Sequence, residues 1–305
     1  MDCTVQGKLV GLSEAVGYIQ DGMHVGLSGF AVTRAAVALV HELIRQGKKN
    51  LTVSQCLASL DLDLLVGAGC VKKLIYGGGS LDRLGPVYHV NRALEEGRLE
   101  AEEFSTLTVT LRHLAGALGI PFIPSKSLLG SDLLTRLLEK PEPPVRVADC
   151  PFTSEKLVLL RALEPDVALI HANAVDEEGN VLVYGPSWNL REMAMASKAV
   201  IVTTEEIVPR VFTERYPEHT LIPGFQVKYV VHQPYGAYPT AVYQAYDYDL
   251  EHLHHYLEAA RRGGEAWRNY LDRYVYDCRD HWEFLERFGG LRRLSQLRAD
   301  PVLGY

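Results

Sequence analysis

Residues 23–30 read Met23-His-Val-Gly-Leu-Ser-Gly-Phe30. Met23–Leu27 is short and apolar and runs into small residues, the pattern of a buried strand entering a tight turn. Residues 34–46, from Arg34 to Gln46, place apolar side chains at helical spacing, and Gly47 stops them. Leu51–Val53 opens the next strand, Leu60–Val66 is the next helix, and Lys73–Tyr76 is a third strand running into Gly77-Gly78-Gly79-Ser80. Upstream, Ser13 caps a helix that stops near Asp21-Gly22. Downstream, Pro86–Glu96 and Leu107–Leu118 read as helices. Strands alternating with helices of this length imply βαβ units: an α/β fold in three layers, with a mixed, largely parallel sheet.

The middle of the chain continues the pattern less regularly. Val167–His171 is a buried-type strand, Asp176–Asn180 a turn into Val181–Tyr184, Asn189–Ala196 a helix and Ala199–Thr203 a strand. Lys228–His232 is the last strand expected. The proline-rich stretch from Glu139 to Pro151 reads as a surface excursion. From Asp249 the character changes. Glu251–Arg262, Glu265–Tyr274 and Asp280–Phe288 are helical, separated by Gly263-Gly264 and Gly289-Gly290. The expected organisation is an α/β body over residues 1–248 with a helical C-terminal extension, 249–305, packed on it. No repeat or low-complexity tract interrupts either part.

Composition excludes several function classes. The 305 residues are 47% hydrophobic and 23% charged with a net charge of −7, which excludes a disordered chain and argues against nucleic-acid binding. No uncharged apolar run approaches the ~20 residues that cross a bilayer, and the N-terminal residues lack a secretory pattern, so a cytoplasmic, non-membrane protein is expected. The five cysteines, Cys3, Cys56, Cys70, Cys150 and Cys278, form no C-x-x-C pair and read as reduced, packed thiols.

Few motifs carry chemistry by themselves. The glycine-rich turns Gly26–Phe30 and Gly77–Ser80 follow strands, where open α/β sheets bind ligands, but neither is a dinucleotide or P-loop fingerprint. Gly26-Leu27-Ser28-Gly29 misses the nucleophile elbow by one position, and Cys56 has no evident base. His255 and Glu258 share a helix face beside His252 and His254, yet the surrounding polarity suits a solvated surface, so no metal is expected. Among the acids, Glu177-Glu178 lie in a turn, Glu205-Glu206 follow a strand end, and Glu102 and Glu103 flank a short strand. Six tyrosines between Tyr229 and Tyr248 suit either a partner surface or internal packing.

Taken in order, several segments carry a resemblance. They are Leu12-Ser-Glu-Ala-Val16, Asp21–Phe30, Ala115–Pro124, Leu129-Gly-Ser-Asp132, Asp166–Ala172, Thr204-Glu-Glu-Ile207, Ile222-Pro-Gly224, Pro234–Pro239, Tyr246-Asp-Tyr-Asp249, Asp280-His281 and Leu303-Gly-Tyr305. Together the chain resembles the family I coenzyme A transferases, specifically an A (alpha) subunit of the glutaconate CoA-transferase type. The resemblance implies a fold like that of ribose-phosphate isomerase. It also implies a B (beta) subunit of similar fold, assembled as a heterotetramer. The reaction it implies moves CoA from an acyl-CoA thioester to a free carboxylic acid through a glutamyl-CoA intermediate on the B subunit. CoA is then a substrate, and no bound cofactor or metal is required.

The family's nucleophilic glutamate has no counterpart here: Glu178-Gly-Asn180 is close in composition only and lies at a turn. No catalytic residue is therefore nominated in this chain. By position, Gly29-Phe30 matches the family's Gly-Gly-Phe turn with Ser28 replacing the first glycine, and Ser80 matches a serine near the acid site. Ser28, Gly29, Phe30, Gly78, Gly79 and Ser80 are thus the expected substrate-binding residues, as a hydroxyl among backbone N–H groups suits a carboxylate or oxyanion. The alternative implied by a steroid-ring-opening branch is a CoA-thioester hydrolase, for which Glu102 and Glu103 are the candidate acids. A non-catalytic chain that binds acyl-CoA is the third reading.

Overall fold

The computed structural model describes residue 5, residues 7–300 and residue 303. Cys3 and, of the Leu303-Gly-Tyr305 motif, Gly304 and Tyr305 lie outside the described residues. Helix α1 (Leu12–Gly17) precedes a run of four strand–helix units. These comprise β1 (His24–Leu27), α2 (Val37–Arg45), β2 (Leu51–Gln55), α3 (Leu60–Gly67), β3 (Val71–Tyr76), α4 (Tyr88–Glu95), β4 (Glu100–Glu103) and α5 (Thr106–Ala117). After β5 (Phe122–Ser125), α6 (Asp132–Leu138), β6 (Val145–Asp149) and β7 (Lys156–Arg161), the chain returns to the sheet as β8 (Val167–Asp176). It continues through β9 (Val181–Leu182), α7 (Leu190–Ala196), β10 (Val200–Val208), α8 (Arg210–Arg215), β11 (Thr220–Ile222) and β12 (Val227–His232).

The strands β12, β10, β8, β1, β2, β3 and β4 lie side by side, all parallel. The far end of β8, beyond its pairing with β1, adds β9 and then β11 in antiparallel fashion. The expected mixed, largely parallel sheet is present. Every residue of β8 is buried, as a central strand covered on both faces requires. Alternation sorts its side chains: Val167 and Leu169 join one core with Val25, Val53, Leu74 and Ile201, while Ala168, Ile170 and Ala172 join another with Val200 and Val202.

Three differences from the sequence reading are informative. Helix α2 starts at Val37, because Arg34 adopts a left-handed backbone (φ 55°) and donates its N–H to Ala241 instead. The proline-rich stretch holds strand β6, framed by Pro144 and Pro151, in an antiparallel sheet ordered β5-β7-β6. Its prolines sit at or beyond edge strands, where a missing N–H costs no ladder bond. Strand β10 runs to Val208 because it pairs with β8 as far as Asp176, so Glu205 and Glu206 lie within a strand rather than after one.

Helices α9 (Leu250–Arg262), α10 (Gly264–Leu271), α11 (His281–Phe284) and α12 (Gly290–Leu297) close the chain; α12 was not expected. Short π-helical turns follow α10 and α11. These helices share the first core with the body: Tyr256, Trp267 and Tyr270 are buried there, and the Trp267 indole N–H donates to Gly67 O at 2.8 Å. His252 is buried against Tyr270 and Glu258 pairs with Arg261, while no group of metal-ligating side chains occurs among the described residues. Internal packing accounts for Tyr238 and Tyr246, both buried, whereas Tyr243 is exposed. No described helix is long and apolar enough to cross a membrane.

Asp63, in α3, which is buried from Leu60 to Val66, accepts Val90 N–H at 2.8 Å and the Tyr256 hydroxyl at 2.5 Å. Burial pushes its carboxyl up to about 6 in spite of these donors. A raised folded pKa means that Asp63 contributes fully below its ordinary value of 3.8 and loses that contribution as pH rises through about 6. Asp63→Asn should therefore lower the urea midpoint more at pH 4 than at pH 7, relative to the parent at each pH. An equal loss at both would show that Asp63 does not titrate in this window.

Candidate active site

Strands β1, β2 and β3 are parallel neighbours, so their carboxyl ends open on one edge, where α/β sheets bind ligands. The turn after β1 is closed by reciprocal Phe30–Thr33 backbone bonds of 2.9 Å, with Ala31 at φ 52°. The chain leaving β2 lies between this turn and the one after β3. Ser59 Oγ donates to Ala31 O at 2.7 Å, Ala58 N–H to Gly78 O at 2.8 Å, and Ser80 N–H to Ala58 O at 3.1 Å. The three strand exits are one hydrogen-bonded surface.

Of the expected residues, two face inward. Ser28 is buried, and its hydroxyl donates to Arg34 O at 3.0 Å. Gly29 donates its N–H to Asp61 Oδ2 at 3.2 Å and accepts Gln55 Nε2 at 2.8 Å. A Cβ on Gly29 would lie 2.5 Å from Asp61 Oδ2, which explains the glycine. Ser28 and Gly29 thus shape the turn instead of presenting a free group. Phe30 and Ser80 are half-buried and Gly79 is exposed. Gly78 has φ 107°, and a Cβ there would meet nothing closer than Leu57 at 3.8 Å. Ser80 Oγ has one weak acceptor, Asp82 O at 3.3 Å. The structure therefore brings Phe30, Gly78, Gly79 and Ser80 to the open edge.

The acids of the hydrolase alternative part company. Glu102 is buried and bridges Lys73 Nζ at 2.8 Å and Arg112 Nη1 at 3.2 Å. Burial works to raise its pKa, but these two cations outweigh it and hold the carboxyl below its usual range. Arg112 also donates to Arg161 O at 2.8 Å and lies over the Phe104 ring. This is a structural ion triad. Glu103, one residue on, is exposed. Cys56 is a packed thiol: burial pushes it up to about 12, far from a nucleophile at neutral pH.

Sequence reasoning missed the hub beneath the turns. Asp61 is fully buried and gathers the N–H groups of Gly29, Ala36 and Leu62 with the Gln55 amide, while burial raises its pKa. The signal was available as two aspartates inside the apolar helix Leu60–Val66. Buried carboxylates require several donors, and donors supplied by a turn fix that turn.

A concavity of ≈ 780 Å³ lies along β10, lined by Glu205, Glu206, Tyr235, Tyr246 and Arg298 among others. Glu205 accepts from Tyr235 N at 2.8 Å and Tyr246 OH at 3.0 Å, and its Oε1 lies 2.6 Å from His171 Nε2. His171 Nδ1 is in turn 2.9 Å from Thr203 Oγ1. Arg34 links this region to the turn after β1: its guanidinium, wholly buried, donates to Asn173 Oδ1 at 2.9 Å and Tyr184 O at 2.7 Å. Burial lowers its pKa to about 10.

Residues 11–233 match the family model described as "Coenzyme A transferase". An uncharacterized protein of Archaeoglobus fulgidus is 38% identical over 97% of the chain, which spans 66% of that relative's length. The A (alpha) subunit of glutaconate CoA-transferase from Acidaminococcus fermentans is 34% identical over 98% of this chain and 97% of its own. The crystal structure of glutaconate coenzyme A-transferase from that organism superposes with a TM-score of 0.91 at 33% identity, covering 98% of each chain. The cholesterol ring-cleaving hydrolase IpdA subunit of Rhodococcus jostii is 31% identical over 90% of this chain and 94% of its own. The matched fold, its helical C-terminus included, and the family match agree: the chain belongs to the coenzyme A transferase family and is of its alpha-subunit type.

Proposed function

We propose that this chain is the acid-binding subunit of a CoA-transferase that moves CoA between an acyl-CoA thioester and a free carboxylic acid. The observation that carries this reading is the match to the alpha subunit of such an enzyme over 98% of the chain, joined to strand-end turns that present a serine and two glycines but no glutamate. Gly78, Gly79 and Ser80 hold the carboxylate of the acid, where a hydroxyl and backbone dipoles offset developing negative charge. Phe30 borders the acyl group. The attacking glutamate belongs to a B (beta) subunit, whose acyl-glutamyl anhydride and glutamyl-CoA thioester divide the transfer into easier steps. The exposed strand-end surface faces that partner, and the assembly is a heterotetramer of two alpha and two beta chains. CoA enters as substrate.

The hydrolase alternative draws support from the ring-cleaving relative, but of its two candidate acids Glu102 is committed to Lys73 and Arg112. Only Glu103 remains free for it. The complex purified through a tag on this chain should exchange labelled carboxylic acid into acyl-CoA, and Ser80→Ala should lower kcat/KM for the acid about 10–100-fold. Release of free CoA without exchange, abolished by Glu103→Gln, would establish the hydrolase instead.

A further inference from the structure

Trp188, in the loop between β9 and α7, has φ 45°. This left-handed backbone is unfavourable for a bulky L-residue and persists only where its surroundings enforce it, commonly at functional sites. Its indole lies flat on the Phe30 ring, with centroids 4.3 Å apart and planes within 2°. The residue after it is anchored by its side chain: Asn189 Nδ2 lies 3.1 Å from His113 Nδ1. With Nδ1 accepting, the His113 Nε2–H donates to Ser54 Oγ at 3.2 Å. A strained residue thus bridges the exits of β1 and β2.

The surroundings of this stack are apolar. Phe30, Leu57, Leu133 and Trp188 are all half-buried and pack against a third core that includes Cys56, Ile75, Phe104, Val109 and Leu160. Leu57 adjoins the turn Gly78–Ser80, to which the chain leaving β2 is bonded at Ala58, and Phe30, carrying the Trp188 ring, belongs to the neighbouring turn after β1. Half-exposed apolar side chains held rigidly beside a polar cradle describe a ligand with one charged end and an apolar body.

We propose that Trp188 is a specificity-determining residue. Its indole, backed by Phe30, is the flat wall against which the body of the acyl group lies, and its bulk limits that body to compact apolar acids. This rests on the reading of the strand-end turns as the acid site. The strain has a role on this account: it turns the indole onto Phe30, so that one ring pair closes the site with a planar face.

The test is acceptor preference in the intact complex, using a graded panel of acids from acetate to phenylacetate and reading kcat/KM for each. Trp188→Ala should shift the ratio of the largest to the smallest accepted acid about tenfold or more toward the largest, the scale on which apolar pockets discriminate. Trp188→Phe, which keeps a flat ring, should stay within about threefold of the parent ratio. Should Trp188→Ala fail to assemble, Trp188→Leu removes the planar face while keeping apolar bulk and is expected to move the ratio in the same direction. If rates for all acids fall together and the ratio holds, Trp188 is structural and the inference is overturned. A parent complex that transfers CoA to no acid would instead overturn the function reading on which it rests.

Discussion

Glu102→Ala is expected to destabilise the chain by about 3–5 kcal/mol, because it strands a buried guanidinium. Arg112 is 3% exposed; without Glu102 it keeps only Arg161 O and the face of Phe104. Burial already lowers its pKa to about 10 with the carboxylate present. Lys73, the other partner, is partly exposed and can regain water. Glu102→Gln removes the charge but keeps an acceptor, so its loss should be smaller, about 1–3 kcal/mol. Glu103→Gln, on an exposed residue, should change stability by no more than about 0.5 kcal/mol. The pH dependence has a definite sign. A depressed Glu102 pKa contributes stability above the ordinary glutamate value of 4.5, and that contribution is lost as pH falls below it. Urea midpoints at pH 7 and pH 4 read both effects. A Glu102→Gln complex of parental stability but without turnover would reassign Glu102 from structure to chemistry.

Gly77→Ala should be nearly as damaging and should act on function more directly. A Cβ there would lie 2.5 Å from Cys56 O and 2.5 Å from Thr106 N, both backbone atoms that no rotamer change can move. The Thr106 hydroxyl also donates to Gly77 O at 3.2 Å, locking the start of α5 to this turn. The cost is about 3 kcal/mol, at the upper end for overpacking, and any relief must displace the exits of β2 and β3 together. CoA transfer should fall at least ~100-fold, since displacement of a site by about 1 Å has that scale. Gly78→Ala is the contrast: its φ of 107° makes alanine strained, but nothing lies within 3.8 Å. A loss of about 1 kcal/mol is expected there. Equal effects from the two would show that strain, not the close approach of three segments of the chain, governs this turn.

The sheet was legible because its strands and helices obey different periods. Met23–Leu27, Leu51–Val53 and Lys73–Tyr76 each anticipate a parallel strand, and the break between α9 and α10 follows from Gly263-Gly264. Strand β6 was hidden because prolines mark it as irregular, while its pairing depends on β7, which sequence periodicity alone does not reveal. The end of β10 was misplaced for the same reason: Glu205 and Glu206 look like a strand exit until β8 is seen to run beside them. Of the candidate site, glycines and serines after strands marked the edge where β1, β2 and β3 end, but whether a hydroxyl faces in, as in Ser28, or toward the surface, as in Ser80, depends on the fold of the turn. Asp61 shows in the sequence only as an acid inside an apolar helix; its place, like that of Trp188, depends on the tertiary structure. One is placed by burial beneath the turn, the other by a backbone angle that no composition specifies.

The central claim is that this chain cradles the acid while the covalent chemistry takes place on its partner. The most direct test is intact mass of both chains in the complex, after incubation with acyl-CoA and brief borohydride treatment that reduces a glutamyl thioester. The account predicts a mass change confined to the partner chain, with this chain unaltered and the Ser80→Ala complex accumulating less of the reduced species. A modified glutamate on this chain, or CoA released with neither chain changed, would contradict it.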